Sequence, residues 1–178
     1  YAKCGSISHA QKVFDNLPIR NTVSWTSLIS GYIYHGCCKE AVGLYNDMIR
    51  EGVLPNEVTY LCVLKACGGI GGLVQGEIIH NEIQTQGFLQ RNIALGNSLI
   101  DMYAKCGMLV KSKNVFDNLV QHDVVSWTAL ISNYVEHGYG EEALKLHEEM
   151  QIEGVFVNAV TYVCILKACS GVGNRQKG

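Results

Sequence analysis

The chain reads as an all-α protein, an α-solenoid built from helix-turn-helix repeats. Three observations predict this. Val125-Ser-Trp-Thr-Ala-Leu-Ile-Ser132 has a twin 102 residues earlier, Val23-Ser-Trp-Thr-Ser-Leu-Ile-Ser30. The same offset carries Tyr1-Ala-Lys-Cys-Gly5 onto Tyr103-Ala-Lys-Cys-Gly107 and Val13-Phe-Asp-Asn-Leu17 onto Val115-Phe-Asp-Asn-Leu119. It also carries Val58-Thr-Tyr60 and Leu64-Lys-Ala-Cys67 onto Val160-Thr-Tyr162 and Leu166-Lys-Ala-Cys169, and about half of all overlaid positions are identical without a gap. Second, apolar residues within each period recur at helical spacing. Third, nineteen glycines but only two prolines suggest many short breaks between helices. A fixed period of this kind specifies a repeat architecture before any local reading.

The elements follow in order. Ala10, Val13, Phe14 and Leu17 give Ile7 to Leu17 one apolar face, and Pro18 stops that helix. Val23, Trp25, Leu28, Ile29 and Tyr32 mark the next helix, with Gly36 as a left-handed cap. Ala41, Leu44, Tyr45 and Met48 mark its return, closed by Gly52, and Pro55 separates this pair from the next. Val58 to Cys67 is helical in pattern. Gly68, Gly69, Gly71 and Gly72 form a break, and Leu73 to Gln86 returns with Ile78, Ile79 and Ile83 on one side. Ile93 to Lys105 pairs with the short Leu109 to Leu119, and Val124 to His137 with Glu141 to Ile152. Ala159 to Cys169 opens a last pair whose second helix is cut off at Gly178.

The units predicted are thus 22–56, 57–92, 93–123 and 124–158, with 1–21 the end of an earlier unit and 159–178 the start of a later one. Their lengths of 35, 36 and 31 residues make up the 102-residue period. One hairpin cannot bury its apolar stripe alone, so neighbours must stack, with the first helix of each unit lining the concave face. Because the chain starts and stops inside repeats, it is expected to be a fragment of a longer protein.

Composition narrows the function. The chain is 48% hydrophobic and 17% charged, the profile of an ordered protein. A net charge of −2 argues against a broadly basic nucleic-acid coat but leaves room for a local basic stripe. Eight cysteines in a small secreted chain would suggest disulfides. These recur with the period inside apolar segments, without a signal peptide or a glycosylation acceptor, and read as small buried hydrophobes in a reducing compartment. No apolar run is long enough to span a membrane. Cys62 and Cys67 are five apart, as are Cys164 and Cys169, so neither pair closes on one ion along a helix, and no Cys-x-x-Cys occurs. His80-Asn-Glu82 lacks the Pro-Cys-x-x-Cys half of a zinc deaminase. No nucleophile has a positioned base. The expectation is no catalytic residue, no metal, no cofactor and no small-molecule substrate.

The motifs carry a resemblance. Leu99-Ile-Asp-Met-Tyr-Ala-Lys-Cys-Gly107 with Val115-Phe-Asp117, Val125–Ser132 with Glu142-Ala-Leu144, and Val58-Thr-Tyr60 with Leu64–Cys67 resemble the short, normal and long motifs of plant organellar pentatricopeptide repeat proteins, in the subclass that alternates all three. The resemblance covers essentially the whole chain. It implies a right-handed superhelix and sequence-selective binding of single-stranded RNA, about one base per repeat. It also implies work in mitochondrial or chloroplast RNA processing or editing, alongside editing cofactor proteins.

In that family the second residue of successive repeats clamps the base faces. Here these positions are Val23, Val58, Ala94, Val125 and Val160. The fifth and last residues of a repeat read the base edge, giving Thr26 with Asn56, Asn97 with Asp123, and Thr128 with Asn158. By the family's code Thr with Asn favours adenine and Asn with Asp favours uracil. The long repeat carries Leu61 with Asn92, and Leu61 has no hydrogen-bonding group, so the expected tract is A-N-U-A. Lys3, Lys65, Lys105 and Lys167 fall at equivalent helix positions and are candidate phosphate contacts.

Plainer readings stand beside these. Asn56, Asp123 and Asn158 are also good helix N-caps. Trp25, Trp127, Tyr60 and Tyr162 read as packing between hairpins. A helical-repeat scaffold that binds protein is the rival function.

Overall fold

The structure, a computed structural model, describes residues 6–175 and the side chains of 6–170. The described residues form helices without strands: α1 (Ile7–Asp15), α2 (Thr22–Tyr34), α3 (Cys38–Arg50), α4 (Glu57–Ile70), α5 (Leu73–Thr85), α6 (Ile93–Lys105), α7 (Leu109–Asp117), α8 (Val124–Glu136), α9 (Gly140–Ile152) and α10 (Ala159–Arg175). They divide into two compact units, one ending at Phe88 and one beginning at Leu89.

In the first unit α2 packs on α3 and α4, α3 on α4, α4 on α5, and α1 on α2. The turn between α2 and α3 shows why the hairpin forms. Gly36 sits at φ +76°, where a side chain would be strained. This lets Gly36 N–H donate to Ile33 O (3.0 Å) and Cys37 N–H to Tyr32 O (2.9 Å), closing the last carbonyls of α2. The chain then reverses into α3. Trp25, Leu28 and Ile29 of α2 are buried, as are Ala41, Tyr45 and Met48 of α3 and Tyr60, Val63 and Leu64 of α4. Each large apolar side chain removed from water contributes about 1.5–3 kcal/mol.

The second unit repeats the plan. Here α6 packs on α7 and α8, α7 on α8, α8 on α9 and α10, and α9 on α10. Leu95, Leu99 and Ile100 of α6 and Trp127, Leu130 and Ile131 of α8 form its centre. The shorter return helix α7 is tied to α6 by the buried Ser112, whose Oγ donates to Ile100 O at 2.9 Å.

Several details differ from the sequence reading. Gly68 and Gly69 belong to α4, and the break falls only at Gly71, which takes φ +65°. Gly68 is buried, and a Cβ on Gly69 would stand 3.2 Å from Cys38 Sγ, so Gly69 allows a close approach of α3 within a continuing helix. The last helix continues past Cys169 to Arg175. Tyr60 and Cys67 are buried under α5, whereas their counterparts Tyr162 and Cys169 are exposed on α10, onto which only α8 and α9 pack among the described residues. No helix is long and apolar enough to cross a membrane among the described residues.

Candidate nucleic-acid interface

The helices α2, α4, α6, α8 and α10 begin at Thr22, Glu57, Ile93, Val124 and Ala159. The residue before each start is Asn21, Asn56, Asn92, Asp123 or Asn158, and each places a side-chain oxygen on a backbone N–H of the following first turn. Helix starts leave such N–H groups unpaired, which is why Asn and Asp stand there. Capping therefore pins each of these polar side chains to the mouth of a helix.

One residue into those helices stand Val23, Val58, Ala94, Val125 and Val160, all exposed, the four valines at 69%, 54%, 53% and 59% in chain order. An exposed valine is ordinary singly, but within each unit they recur at the same turn of helices that pack together, α2 with α4 in the first and α8 with α10 in the second. Three residues further along the same helix face lie Thr26, Leu61, Asn97 and Thr128.

Within the first unit Thr26 and Asn56 are bridged by one hydroxyl. Thr26 Oγ1 lies 2.7 Å from Thr59 Oγ1, and Thr59 Oγ1 donates to Asn56 Oδ1 at 2.9 Å. Thr59 N–H donates to the same Oδ1 at 2.9 Å. The second unit builds the same bridge. Thr128 Oγ1 is 2.7 Å from Thr161 Oγ1, which donates to Asn158 Oδ1 at 3.0 Å, and Thr161 N–H donates there at 2.8 Å. Thr59 and Thr161 are fully buried.

Asn97 and Asp123 are arranged differently. Asp123 Oδ1 accepts from Ser126 N–H at 2.7 Å, but Ser126 Oγ donates to the backbone O of Asp123 at 2.8 Å. Asn97 Oδ1 is buried and has no hydrogen-bond partner. Leu61 lines an open groove of about 450 Å³ with Ser30, Ile33, Tyr34, Cys62 and Lys65.

Of the candidate cations, Lys65 and Lys167 are exposed. Lys105 is exposed as well but donates to Asp101 at 2.6 Å, which neutralises it locally. Lys3 lies outside the described residues. No cluster of three or more His, Cys, Asp or Glu suited to a metal occurs among the described residues.

Sequence reasoning missed two features. The first is the bridging threonine, although its signal was present in the repeated Val-Thr-Tyr. The second is an aromatic clip, found at two matching places 102 residues apart. Arg20 lies over the Phe14 ring at 4.8 Å and donates to Glu51 at 2.8 Å, while Trp25 meets Phe14 edge-on at 4.6 Å. At the matching place His122 stacks on Phe116 at 4.0 Å and sits 3.2 Å from Glu153, and Trp127 Nε1 donates to the same carboxylate at 3.3 Å. Trp25 and Trp127 are buried in these contacts, 2% and 1% exposed, as read from sequence.

Comparison with known proteins follows the same lines. The profile of the PPR repeat family matches residues 20–69 and 122–171, and that of the PPR repeat matches 97–124. The chain is 40% identical over its whole length to "Pentatricopeptide repeat-containing protein CRR2, chloroplastic" of Arabidopsis thaliana, and covers 27% of that protein. It is 40% identical over 97% of its length to the Arabidopsis thaliana pentatricopeptide repeat-containing protein At4g31070, mitochondrial, covering 28% of it. The chain therefore spans about a quarter of the length of these relatives. Among solved structures, PPR10 in complex with an 18-nt psaJ RNA element superposes over 99% of this chain and 27% of PPR10, with TM-score 0.82 at 18% identity. Nuclear proteinaceous RNase P 2 of Arabidopsis thaliana superposes over 89% of this chain and 37% of its own, with TM-score 0.61 at 16% identity. These likenesses show the helical-repeat solenoid fold, and the profile matches cover well over half of the sequence. The chain belongs to the pentatricopeptide repeat family.

Proposed function

We propose that this chain binds single-stranded RNA in a sequence-selective way, about one base per repeat, within organellar RNA processing or editing. One observation carries the reading. At two places 102 residues apart, a Thr and an Asn are tied together by a single buried hydroxyl, and the second residue of each of the two helices involved is an exposed valine. A base needs its faces held and its edge met by polar atoms that do not move, and this arrangement supplies both. PPR10, whose fold this chain shares, was solved with an RNA element bound. The relatives named chloroplastic and mitochondrial support one of those organelles as the site of action.

The repeats are 22–56, 57–92, 93–123 and 124–158, which the helix starts support, with long, short and normal units alternating. The tract read is A-N-U-A, from Thr26 with Asn56, Asn97 with Asp123, and Thr128 with Asn158. Val23, Val58, Ala94, Val125 and Val160 clamp. Lys65 and Lys167 contact phosphates, and Lys105 contributes less because Asp101 holds it. The chain acts by binding, and chemistry on the RNA belongs to other domains or partners.

The test is affinity for a short RNA containing A-N-U-A against a scrambled one. Equal and weak affinity rejects the reading. Asn158→Asp exchanges an amide donor for an acceptor, so preference at the last base should move from adenine to guanine. The rival reading, a surface for protein, is favoured only at Leu61, where the groove offers apolar wall in place of a polar reader. An editing cofactor protein that binds this chain and loses affinity on Leu61→Asp would place that contact.

A further inference from the structure

We infer that Thr59 is a specificity-determining residue that touches no base, because its hydroxyl sets the donor and acceptor pattern of the Thr26–Asn56 reader in front of it. This rests on the base-reading role proposed above. The argument is a count of hydrogens. A backbone N–H can only donate, so the atom of Asn56 that meets Thr59 N–H at 2.9 Å must be Oδ1. The amide is thereby fixed, and Nδ2 faces away from the helix mouth as a donor. Thr59 has one hydroxyl hydrogen. Spent on Asn56 Oδ1 at 2.9 Å, it leaves Thr26 to donate in the 2.7 Å contact between the two hydroxyls.

The alternative, with Thr59 donating to Thr26, would set the lone pairs of Thr59 and Asn56 against each other at 2.9 Å. The one hydrogen of Thr26 is therefore held by Thr59, and only a lone pair is left to offer. In the second unit Thr161 meets Thr128 at 2.7 Å and Asn158 at 3.0 Å, but Thr128 Oγ1 also donates to Val124 O at 2.6 Å, so its hydrogen is held with or without the Thr161 hydroxyl.

The pair thus presents an amide donor and a hydroxyl acceptor. With adenine as the base read, Asn56 Nδ2 must meet bare N1 and Thr26 Oγ1 must accept from the N6 amine. Guanine in the same pose sets acceptor against acceptor and donor against donor. The bridging role belongs to threonine at this place. Ser24 and Ser126, third in their own helices, turn their hydroxyls to the backbone O of Asn21 and Asp123 at 2.9 and 2.8 Å. A β-branched threonine has fewer rotamers to choose from.

The experiment measures the affinity of the chain for the short RNA with adenine or guanine at its first base. Thr59→Val keeps the shape and removes the hydroxyl, which frees the hydrogen of Thr26. The A-over-G ratio should fall about tenfold in T59V, since a well-placed bidentate contact is worth roughly that much discrimination. Thr161→Val should leave the ratio at the last base unchanged, because Val124 O still holds the hydrogen of Thr128, and a fall there would overturn the hydrogen count. Circular dichroism checks folding, because Asn56 still caps the backbone N–H of residue 59. If T59V does not fold, T59A removes the same hydroxyl. An unchanged first-base ratio in the folded variant overturns the inference. N56D separates the two failures: if N56D moves base preference and T59V does not, the bridge is incidental and the reading stands. If neither moves it, the reading itself falls.

Discussion

Tyr45 and Tyr60 are the residues whose chemistry the fold changes most. Tyr45 O–H donates to Glu82 at 2.6 Å, Tyr60 O–H donates to the same oxygen at 3.3 Å, and Gln86 Nε2 donates to Tyr60 at 2.9 Å. Burial, with the Glu82 carboxylate behind it, pushes the Tyr60 phenol up to about 12. Burial and the hydrogen bond to Glu82 raise Tyr45 as well. A phenol that ionises later in the folded chain than in the unfolded one stabilises the fold fully below the unfolded value, about 10. That stability drains away as pH climbs from there through the folded value. The first unit should therefore lose stability between pH about 10 and 12, seen as tyrosinate absorbance rising together with loss of helix. Tyr45→Phe should blunt this alkaline transition, and an identical profile in Y45F would contradict the account.

At the scale of elements, the end of α4 is a sharp case. Gly71 holds φ +65° with open space around it, so Gly71→Ala adds strain without relief, about 1–2 kcal/mol of lost stability. Gly69→Ala gains helix propensity, about 1 kcal/mol, and gives some back against Cys38 Sγ. Thermal unfolding should rank G71A below G69A, and the reverse order would show that the helix stops earlier than Ile70. The aromatic clip joins hairpins in the same way. Both ring nitrogens of His122 face acceptors, Glu153 at 3.2 Å and Phe116 O at 3.0 Å, while the ring stacks on Phe116. His122→Ala removes the stack and these bonds, a loss of about 1–3 kcal/mol read by urea unfolding. Arg20 spends its guanidinium on Glu51, and Trp25 Nε1 is left buried without a partner, so the two clips are not energetic copies.

The whole molecule carries a net charge of −2, so any RNA affinity must come from where the cations sit. Phosphate contacts release counterions, and binding should weaken steeply with salt. Lys65→Ala and Lys167→Ala should each lower the slope of log affinity against log salt by about 1, uniformly across RNA sequences. Lys105→Ala should do less, because Asp101 already neutralises it. An affinity for the cognate RNA that is flat in salt would instead favour a groove for protein.

The sequence by itself determined the period, the helices to within a few residues, and where the reader candidates stand. Helical spacing, glycine caps and Asn or Asp before a helix are local, and a regular repeat multiplies each local signal. Tertiary structure alone decided what those side chains do with their hydrogens. Thr26 meets Thr59 across 33 residues, and Arg20 meets Glu51 across 31. Such contacts depend on how two hairpins settle against each other, to within a few tenths of an ångström. Thr59 could instead have turned its hydroxyl to the backbone, as Ser24 and Ser126 do. Hydrogen bonds fall off over distances shorter than a side-chain rotation, so a pattern that repeats along the chain places a residue without saying which atom it turns outward.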